Sequence, residues 1–577
     1  MRIGIFFGGP SREREISFSG GKTAFEHLDK SLFEPVPIFV DSFGRFIRVA
    51  TDVLYTNSIR DFFPTTYQQP EGYQVYAESL PELATQPVPE EIGTLLLPHE
   101  FGQHFDFAFL AMHGPDCEDG AIQGLLEWYR IPYSGPGLMG SSVGIDKILQ
   151  NEMIALANGQ QKKTAVLTHE AWQRQNRQDL FTHLKGDLGM PIVVKAPHQG
   201  SSIGVAIVQQ DEFDVFEKAI NQCFFQLEVK ADEWSGLSEK DKKEFAQRTA
   251  NLNEGIGFPV VTSELIIYHP AALIEYLDGR FAFGESTVML SSQNAEDQVL
   301  LETFVQGQEF SCGCIQLGNG QVLALPPTEV IKVEEVFDFN SKYKPGATRK
   351  RIPVATTYEN NRKIQENIAT VFGRLGMNVC ARIDGFLTAD GDVLLHDPNT
   401  IPGMSPTSLI FKQMAEIGLN VTQAITYFIR QSIRERIRTG KDTWGLRFLL
   451  EDMDGKIRAK VKQTLPMKGI LLRDNDTSYA QARLLFSRMS AEGIYQPLPV
   501  LKTSSGEYYQ LPLPMMFKDY VEDVVHSCGV ERDAVLTETA REGQSLASWY
   551  GGATEFEIKR LTAFDELPEV EDWIMVN

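Results

Sequence analysis

ARIDGFLTADGDVLLHDPNTIPGM, residues 381–404, is the stretch on which the reading of this chain turns. Apolar residues lie on both sides of Ala389-Asp390-Gly391, a polar triplet ending in glycine that suits the turn of an antiparallel hairpin. Asp384 falls in the opening strand. Asp397 and Asn399 fall on the return strand, two positions apart, so a regular strand puts them on one face. Antiparallel pairing then brings Asp384 opposite them. Hard oxygen donors on adjacent strands suit Mg²⁺, whose octahedral shell is completed by phosphate and water. Three polar residues facing solvent would be the plain alternative; Ile383, Phe386 and Val393–Leu395 around them weigh against it.

A second hairpin reads PIVVKAPHQGSSIGVAIV, residues 191–208. Lys195 ends its first strand. Gly200, Ser201, Ser202 and Gly204 make a loop that lets a ligand approach the backbone and adds hydroxyl donors. By itself such a loop is most often a turn, and Lys147 by itself is equally a solvated helix lysine. Dispersed cations, exposed backbone donors and carboxylates in one chain are together what a nucleotide triphosphate with its metal requires.

Outward from these hairpins the pattern is α/β. Residues 1–135 alternate RIGIFF, a helix at Ser19–Leu28, VPIFV, FDFAFLA, a helix at Ile122–Tyr129 and IPYSG, implying a parallel sheet with covering helices. Residues 136–211 and 296–318 form a second unit, opening with a helix whose serines (SSVGIDKILQ) serve as caps. Residues 212–295 read as an insertion, and 319–438 as a third unit containing a basic loop at Lys342–Arg351 and a helix at Glu359–Leu375. From 439 to 577 the pattern restarts. MKGILLRDNDTSYAQARLLFSRMSAEGIYQPLPVLK parallels the first forty residues, with Pro497 and Pro499 against Pro35 and Pro37 and a spacing three residues shorter. A degenerate internal repeat accounts for this; a coincidence of strand–helix–strand patterning would look the same.

Length predicts three to five domains. A net charge of −23 and a pI near 5.0 disfavour nucleic acid and anionic lipid as partners. No run is apolar enough for a membrane span and the start lacks a signal-peptide pattern, so a cytoplasmic protein is expected. The six cysteines show no CxxC spacing, which speaks against a zinc site or a disulfide framework, and Cys312 and Cys314 read as buried, inert thiols.

Taken in order, FFGGPSREREIS, AMHGPDCEDGAIQGLLE, IPYSGPG, VVKAPHQGSSIG, ETFVQGQEF, SKY and RIDGF…DPNTIPGMSPTSL resemble the motif series of the D-alanine:D-alanine ligase family, which has the ATP-grasp fold. The resemblance covers residues 1–425 apart from the insertion. It implies that Lys147, Lys195 and Ser202 contact ATP phosphates. Glu302, Thr303, Phe304 and Val305 would border adenine, and Glu309 would hold the ribose. Asp384, Asp397 and Asn399 would hold one or two Mg²⁺ ions, with Mn²⁺ as a substitute. Arg382 would sit over the transferring phosphate and the Gly403 backbone at the oxyanion. Glu13, linked through Ser201 to Tyr343, would hold the ammonium of the first D-amino acid, with His113 beside it; Ser408 and Leu409 would bind the second substrate's carboxylate.

The implied reaction joins two D-alanines through an acyl phosphate for peptidoglycan synthesis, with small molecules as the partners and a homodimer as a compatible assembly. Two positions depart from the pattern. Thr303 replaces the usual lysine at the adenine hinge, leaving the base one cation poorer, and Asp397 replaces a glutamate. Pro398 is expected to hold Asp397 extended and so offset its shorter reach. These departures and the added regions leave open a related ATP-grasp carboxylate–amine ligase with another amino-acid substrate, or a catalytically silent ATP-binding scaffold.

Overall fold

The computed structural model describes residues 1–62, 72–332, 348–405, 407–440, 443–562, 566 and 569–576. Tyr343 and most of the basic loop lie outside them. Among the described residues no helix is long and apolar enough to cross a membrane.

Arg2–Gly8 is buried along nearly its whole length, as a strand covered on both faces must be. It pairs in parallel with Glu34–Val40 and with Phe107–Leu110; Phe46–Val49 and Gly93–Leu96 extend the sheet antiparallel beyond Glu34–Val40. The covering helix, Arg14–His27, begins five residues before the expected Ser19.

The central sheet runs Thr164–Thr168, Gln298–Thr303, Ile192–Lys195, Val205–Val208, all antiparallel. The segment expected as one serine-capped helix is two, Leu138–Ile145 and Lys147–Asn158. Asp146 breaks the run because its carboxylate accepts from the N–H groups of Ile148 and Leu149, capping the second helix, while Ser141 is buried inside the first. The helix Phe213–Cys223, within the stretch read as insertion, packs through Phe216 and Ile220 into the central core. A separate four-stranded sheet with its own core then spans Gln226–Lys230 to Thr287–Ser292.

The third sheet is ordered Thr348–Arg351, Thr328–Lys332, Gln308–Gln316, Cys380–Leu387, Val393–Asn399. Gln308–Gln316 thus belongs to this lobe and not to the central unit, and the chain crosses between lobes at 304–307. The hairpin turn closes at Thr388 and Asp392. Its return strand does not alternate evenly: Arg382 pairs with Asn399 and Asp384 with His396, leaving Asp397 as the extra residue of a bulge. Asp397 has φ +45°, so the extended conformation expected from Pro398 is replaced by a left-handed one, which aspartate tolerates better than most residues.

Val421–Thr439 is buried almost all round and ties amino-terminal, ATP-grasp and carboxy-terminal residues into one core through Ile425, Phe428 and Ile429. Several of its polar groups are paired. Arg430 donates twice to Asp454 at 2.6 and 2.8 Å, and Ser432 accepts from the Gly135 N–H at 3.1 Å. The last sheet is ordered Lys559–Leu561, Tyr508–Gln510, Gln496–Lys502, Met467–Arg473, Trp573–Met575. Its strand order and directions repeat those of the first sheet. Cys312 and Cys314 are buried, and burial pushes the Cys312 thiol well up.

Candidate active site

Between the central and third sheets lies a cleft of about 1170 Å³. Every candidate residue among those described lines it, from Glu13 and His113 of the amino-terminal domain to Ser408 and Leu409.

At its floor, Lys195 ends a strand whose partner carries Glu302, and the ammonium stands 3.0 Å from Glu302 Oε2 and 3.9 Å from Asp397 Oδ2. Lys147, the first residue of its helix, is 3.8 Å from Asp397 Oδ1 and donates to the Gln199 carbonyl. Burial works against the Asp397 anion, but Lys195 and Lys147 outweigh it and hold its pKa well below the usual range. The bulge is what aims this shortened side chain between the two lysines, with His396 Nδ1 3.0 Å away. Arg382 Nε reaches Asp384 Oδ1 at 3.3 Å, and Ser311 Oγ donates to the same oxygen at 2.6 Å.

A cation does stand at the hinge. Lys162 Nζ is 2.7 Å from Glu302 Oε1, which also accepts from Asn151 at 2.7 Å. Against the burial that would raise it, Lys195 and Lys162 hold the Glu302 pKa at about 2. Thr303 instead donates to the Leu188 carbonyl at 3.0 Å. The expectation of a cation-poor hinge is therefore corrected: strand pairing of Thr164 with Glu302 brings the adjoining Lys162 into the place. Nothing in the sequence short of that register marks it.

At the opposite end, Ser201 donates to Glu13 Oε1. Gly200 permits the approach, since a methyl group there would collide with the Glu13 carboxylate. Ser201 and Ser202 both adopt left-handed backbone, φ 51° and 64°, a conformation held at cost and concentrated at ligand-binding loops. Among the described residues Glu13 Oε2 and His113 Nε2 are buried without hydrogen-bond partners, as is Asn399 Oδ1 at the floor. Burial, then Glu118, raises the Glu13 pKa. Burial opposes the His113 cation, yet Glu118 and Glu13 carry its pKa up. The inserted sheet closes over this end: Arg12 donates to the Leu252, Gly255 and Ile256 carbonyls and to Ser292, and lies 4.0 Å over Phe225. Nothing in the spacing of Arg12 or Glu118 along the sequence marks either for this end of the cleft.

Two carboxylates and an amide oxygen remain as donors for a metal; among the described residues no cluster of three His, Cys, Asp or Glu forms. Asp384, Asp397 and the unpartnered Asn399 Oδ1 nonetheless fit Mg²⁺, which takes few protein ligands when phosphates supply the rest.

Two antiparallel sheets clamping a cleft with two buried lysines at its floor define an ATP-dependent ligase of the ATP-grasp class. Residues 2–136 match the family model described as D-ala D-ala ligase N-terminus, and residues 158–231 and 286–430 match D-ala D-ala ligase C-terminus. The chain belongs to the D-alanine:D-alanine ligase family. It is 26% identical over 433 residues to the D-alanine–D-alanine ligase of Bacillus cytotoxicus, covering 75% of this chain and 96% of that protein. Against the Geobacillus kaustophilus ligase it is 26% identical, covering 71% and 88%. The solved D-alanine–D-alanine ligase of Coxiella burnetii aligns with 76% of this chain and 96% of its own, at 20% identity and a TM-score of 0.49. Both family models stop by residue 430.

Proposed function

We propose that this protein joins two molecules of D-alanine into D-alanyl-D-alanine for the cell-wall precursor, using ATP through an acyl phosphate in the cytoplasm. The observation that carries the reading is Glu13: a buried carboxylate oxygen facing the cleft without a partner among the described residues. An anion so placed is relieved by a substrate ammonium.

Lys147, Lys195 and Ser202 receive the phosphates, which would free Asp397 from its lysine pairs to serve as a metal ligand. Glu302 to Val305 border the adenine and Glu309 the ribose. Asp384, Asp397 and Asn399 would hold Mg²⁺, which would offset charge on the phosphates. Glu13, oriented by Ser201 and, through it, Tyr343, holds the first D-alanine by its ammonium, with His113 alongside. Its carboxylate attacks the γ-phosphorus, ADP leaves, and Arg382 lies where the transferred group's charge gathers. The second D-alanine, its carboxylate at Ser408 and the Leu409 N–H, loses a proton and attacks the acyl carbon; phosphate leaves, and the Gly403 backbone faces the oxyanion. Excluding water protects the acyl phosphate, a role suited to the basic loop before Arg351 and to the inserted sheet clamped by Arg12.

We further divide the chain into the amino-terminal domain (1–135), two ATP-grasp lobes meeting at the 304–307 hinge, the inserted sheet, and a carboxy-terminal region (439–577). The last is a duplicate of the first that kept the fold and lost the site.

ADP release and product mass with a panel of amino acids test the reading: D-alanine should give the dipeptide, and turnover with another amino acid but none with D-alanine would overturn it. Asp384→Asn should lower kcat about 100-fold or more while thermal unfolding stays near wild type; wild-type activity would remove Asp384 from the metal set.

A further inference from the structure

The ATP-grasp lobes do not build the whole cleft. Asp519 and Tyr520, far beyond the last residue matched by either family model, line it together with Ser408 and Leu409. Lys412 stands one turn into the helix Leu409–Glu416, is 4% exposed, and pairs its ammonium with the Asp519 carboxylate. Burial lowers the Lys412 pKa to about 8, with Asp519 working the other way. At the far end of the same helix the buried Glu416 takes Arg532 at 2.9 Å and Lys518 at 3.8 Å. Arg349, on the return strand of the basic loop, pairs with Asp523 at 2.6 Å. One segment of the carboxy-terminal region therefore grips both ends of a short helix and one strand beside the cleft.

An eight-residue helix has little stability of its own, so its direction is set by what holds it. Its first N–H groups point where the acceptor's carboxylate is bound in the reading above, on which this step rests. Lys412 without its counter-ion is a buried unpaired cation, which must lose its proton or swing toward water; either moves the helix start.

We infer that the carboxy-terminal region is a working part of the acceptor end of the active site: Asp519, by holding Lys412, positions the helix that receives the second amino acid. It is a positioning residue, and it ties affinity for the acceptor to a region that neither family model matches.

The test uses the full chain. With ATP saturating and D-alanine varied, initial rates give separate KM values for donor and acceptor. Asp519→Asn should raise the acceptor KM about tenfold or more, as misplacement of a binding group by a fraction of an ångström does. Donor and ATP KM should stay within about twofold, with assays run well below the variant's lowered unfolding temperature. Should that variant fold poorly, Asp519→Glu keeps the charge and shifts it by one methylene; a smaller rise confined to the acceptor KM supports the inference equally. Acceptor KM unchanged, or all three constants moving together, overturns it. Wild-type protein that makes no dipeptide removes the ligase reading and this inference with it, an outcome separate from an active wild type with an unresponsive variant.

Discussion

The sheet that begins at Arg2 and the sheet that begins at Met467 are built alike to the level of single residues. Ile3 and Ile5 lie opposite Pro35 and Pro37; Lys468 and Ile470 lie opposite Pro497 and Pro499. The following turns close identically, Asp41 N–H to the Arg45 carbonyl at 3.1 Å and Thr503 N–H to the Glu507 carbonyl at 2.9 Å. Gly4 and Gly469 each admit an aromatic ring, Phe105 from just before the strand Phe107–Leu110 and Trp573 from the strand Trp573–Met575, where a methyl group would collide. The difference lies in the turn after the first strand. Glu13 precedes Pro35 by the same number of residues as Asn475 precedes Pro497, so the three missing residues all come from this turn. Both occupy the N-cap position of the next helix, but Asn475 accepts from the Ser478 N–H whereas the Glu13 side chain caps nothing. The longer turn lifts a carboxylate out of a capping role and into the cleft; the shorter one keeps its residue for helix stability.

Exchanging roles at that position should break the comparison most visibly. If Glu13 holds the substrate ammonium as proposed, Glu13→Ala removes one partner of a buried pair, a loss of about 3–5 kcal/mol, and kcat/KM for the donor should fall about 1,000-fold. Asn475→Ala removes a cap worth about 1 kcal/mol and should leave kcat/KM within about twofold. Steady-state rates and denaturant unfolding on both variants check the crossing pattern. Equal activity loss in the two would place the carboxy-terminal turn in the reaction.

The two units also meet. His27, at the end of the first unit's helix, is buried with Nε2 3.4 Å from Ser487 Oγ of the second unit's helix, beside Lys30 and the Asp29–Lys460 pair at 2.6 Å. Burial, then Lys30, lowers its pKa from 6.5 to about 4. The folded state thus favours neutral imidazole. This contribution is complete well above pH 6.5 and is lost as pH falls from 6.5 to about 4; at pH 4.5 the loss is about 2.5 kcal/mol. His27→Gln should remove that part of the pH dependence between 6.5 and 4.5, measured by urea unfolding of both proteins. An identical slope in the variant would assign the acid sensitivity elsewhere.

What was legible in the sequence follows from what each feature depends on. The hairpins of 191–208 and 381–404 show themselves because alternation and a polar turn are local, and the paired Pro-x-Pro strands disclosed the parallel between the two ends for the same reason. The Asp397 bulge did not, because a bulge is an event of register between strands, and Pro398 pointed the other way. Lys162 was hidden since only the pairing of Thr164 with Glu302 brings it to the hinge. The split at Asp146 turned on which of several cap-forming residues wins. Asp519 gave no signal, for its contact with Lys412 joins a helix to a loop 107 residues further on.

The smallest expected effect is the one that joins the two units most closely. Ser17 Oγ accepts from the Gly8 N–H and Ser478 Oγ from the Arg473 N–H, each at 2.8 Å, and both serines are fully buried. Each hydroxyl thus ends the first strand by satisfying the backbone donor that the sheet leaves over. Ser17→Ala and Ser478→Ala should each destabilise by about 1–2 kcal/mol, the cost of orphaning a buried donor. Ser478→Ala should cost slightly more, because that hydroxyl also donates to the Val576 carbonyl at 2.8 Å. Activity should separate them. The turn released by Ser17→Ala carries Glu13, so donor KM should rise several-fold, whereas the turn released by Ser478→Ala carries only a helix cap and should leave donor KM at its wild-type value. Matched stability losses with unmatched kinetics would mean that one backbone device serves two turns, of which only the first was ever, or has remained, part of the site.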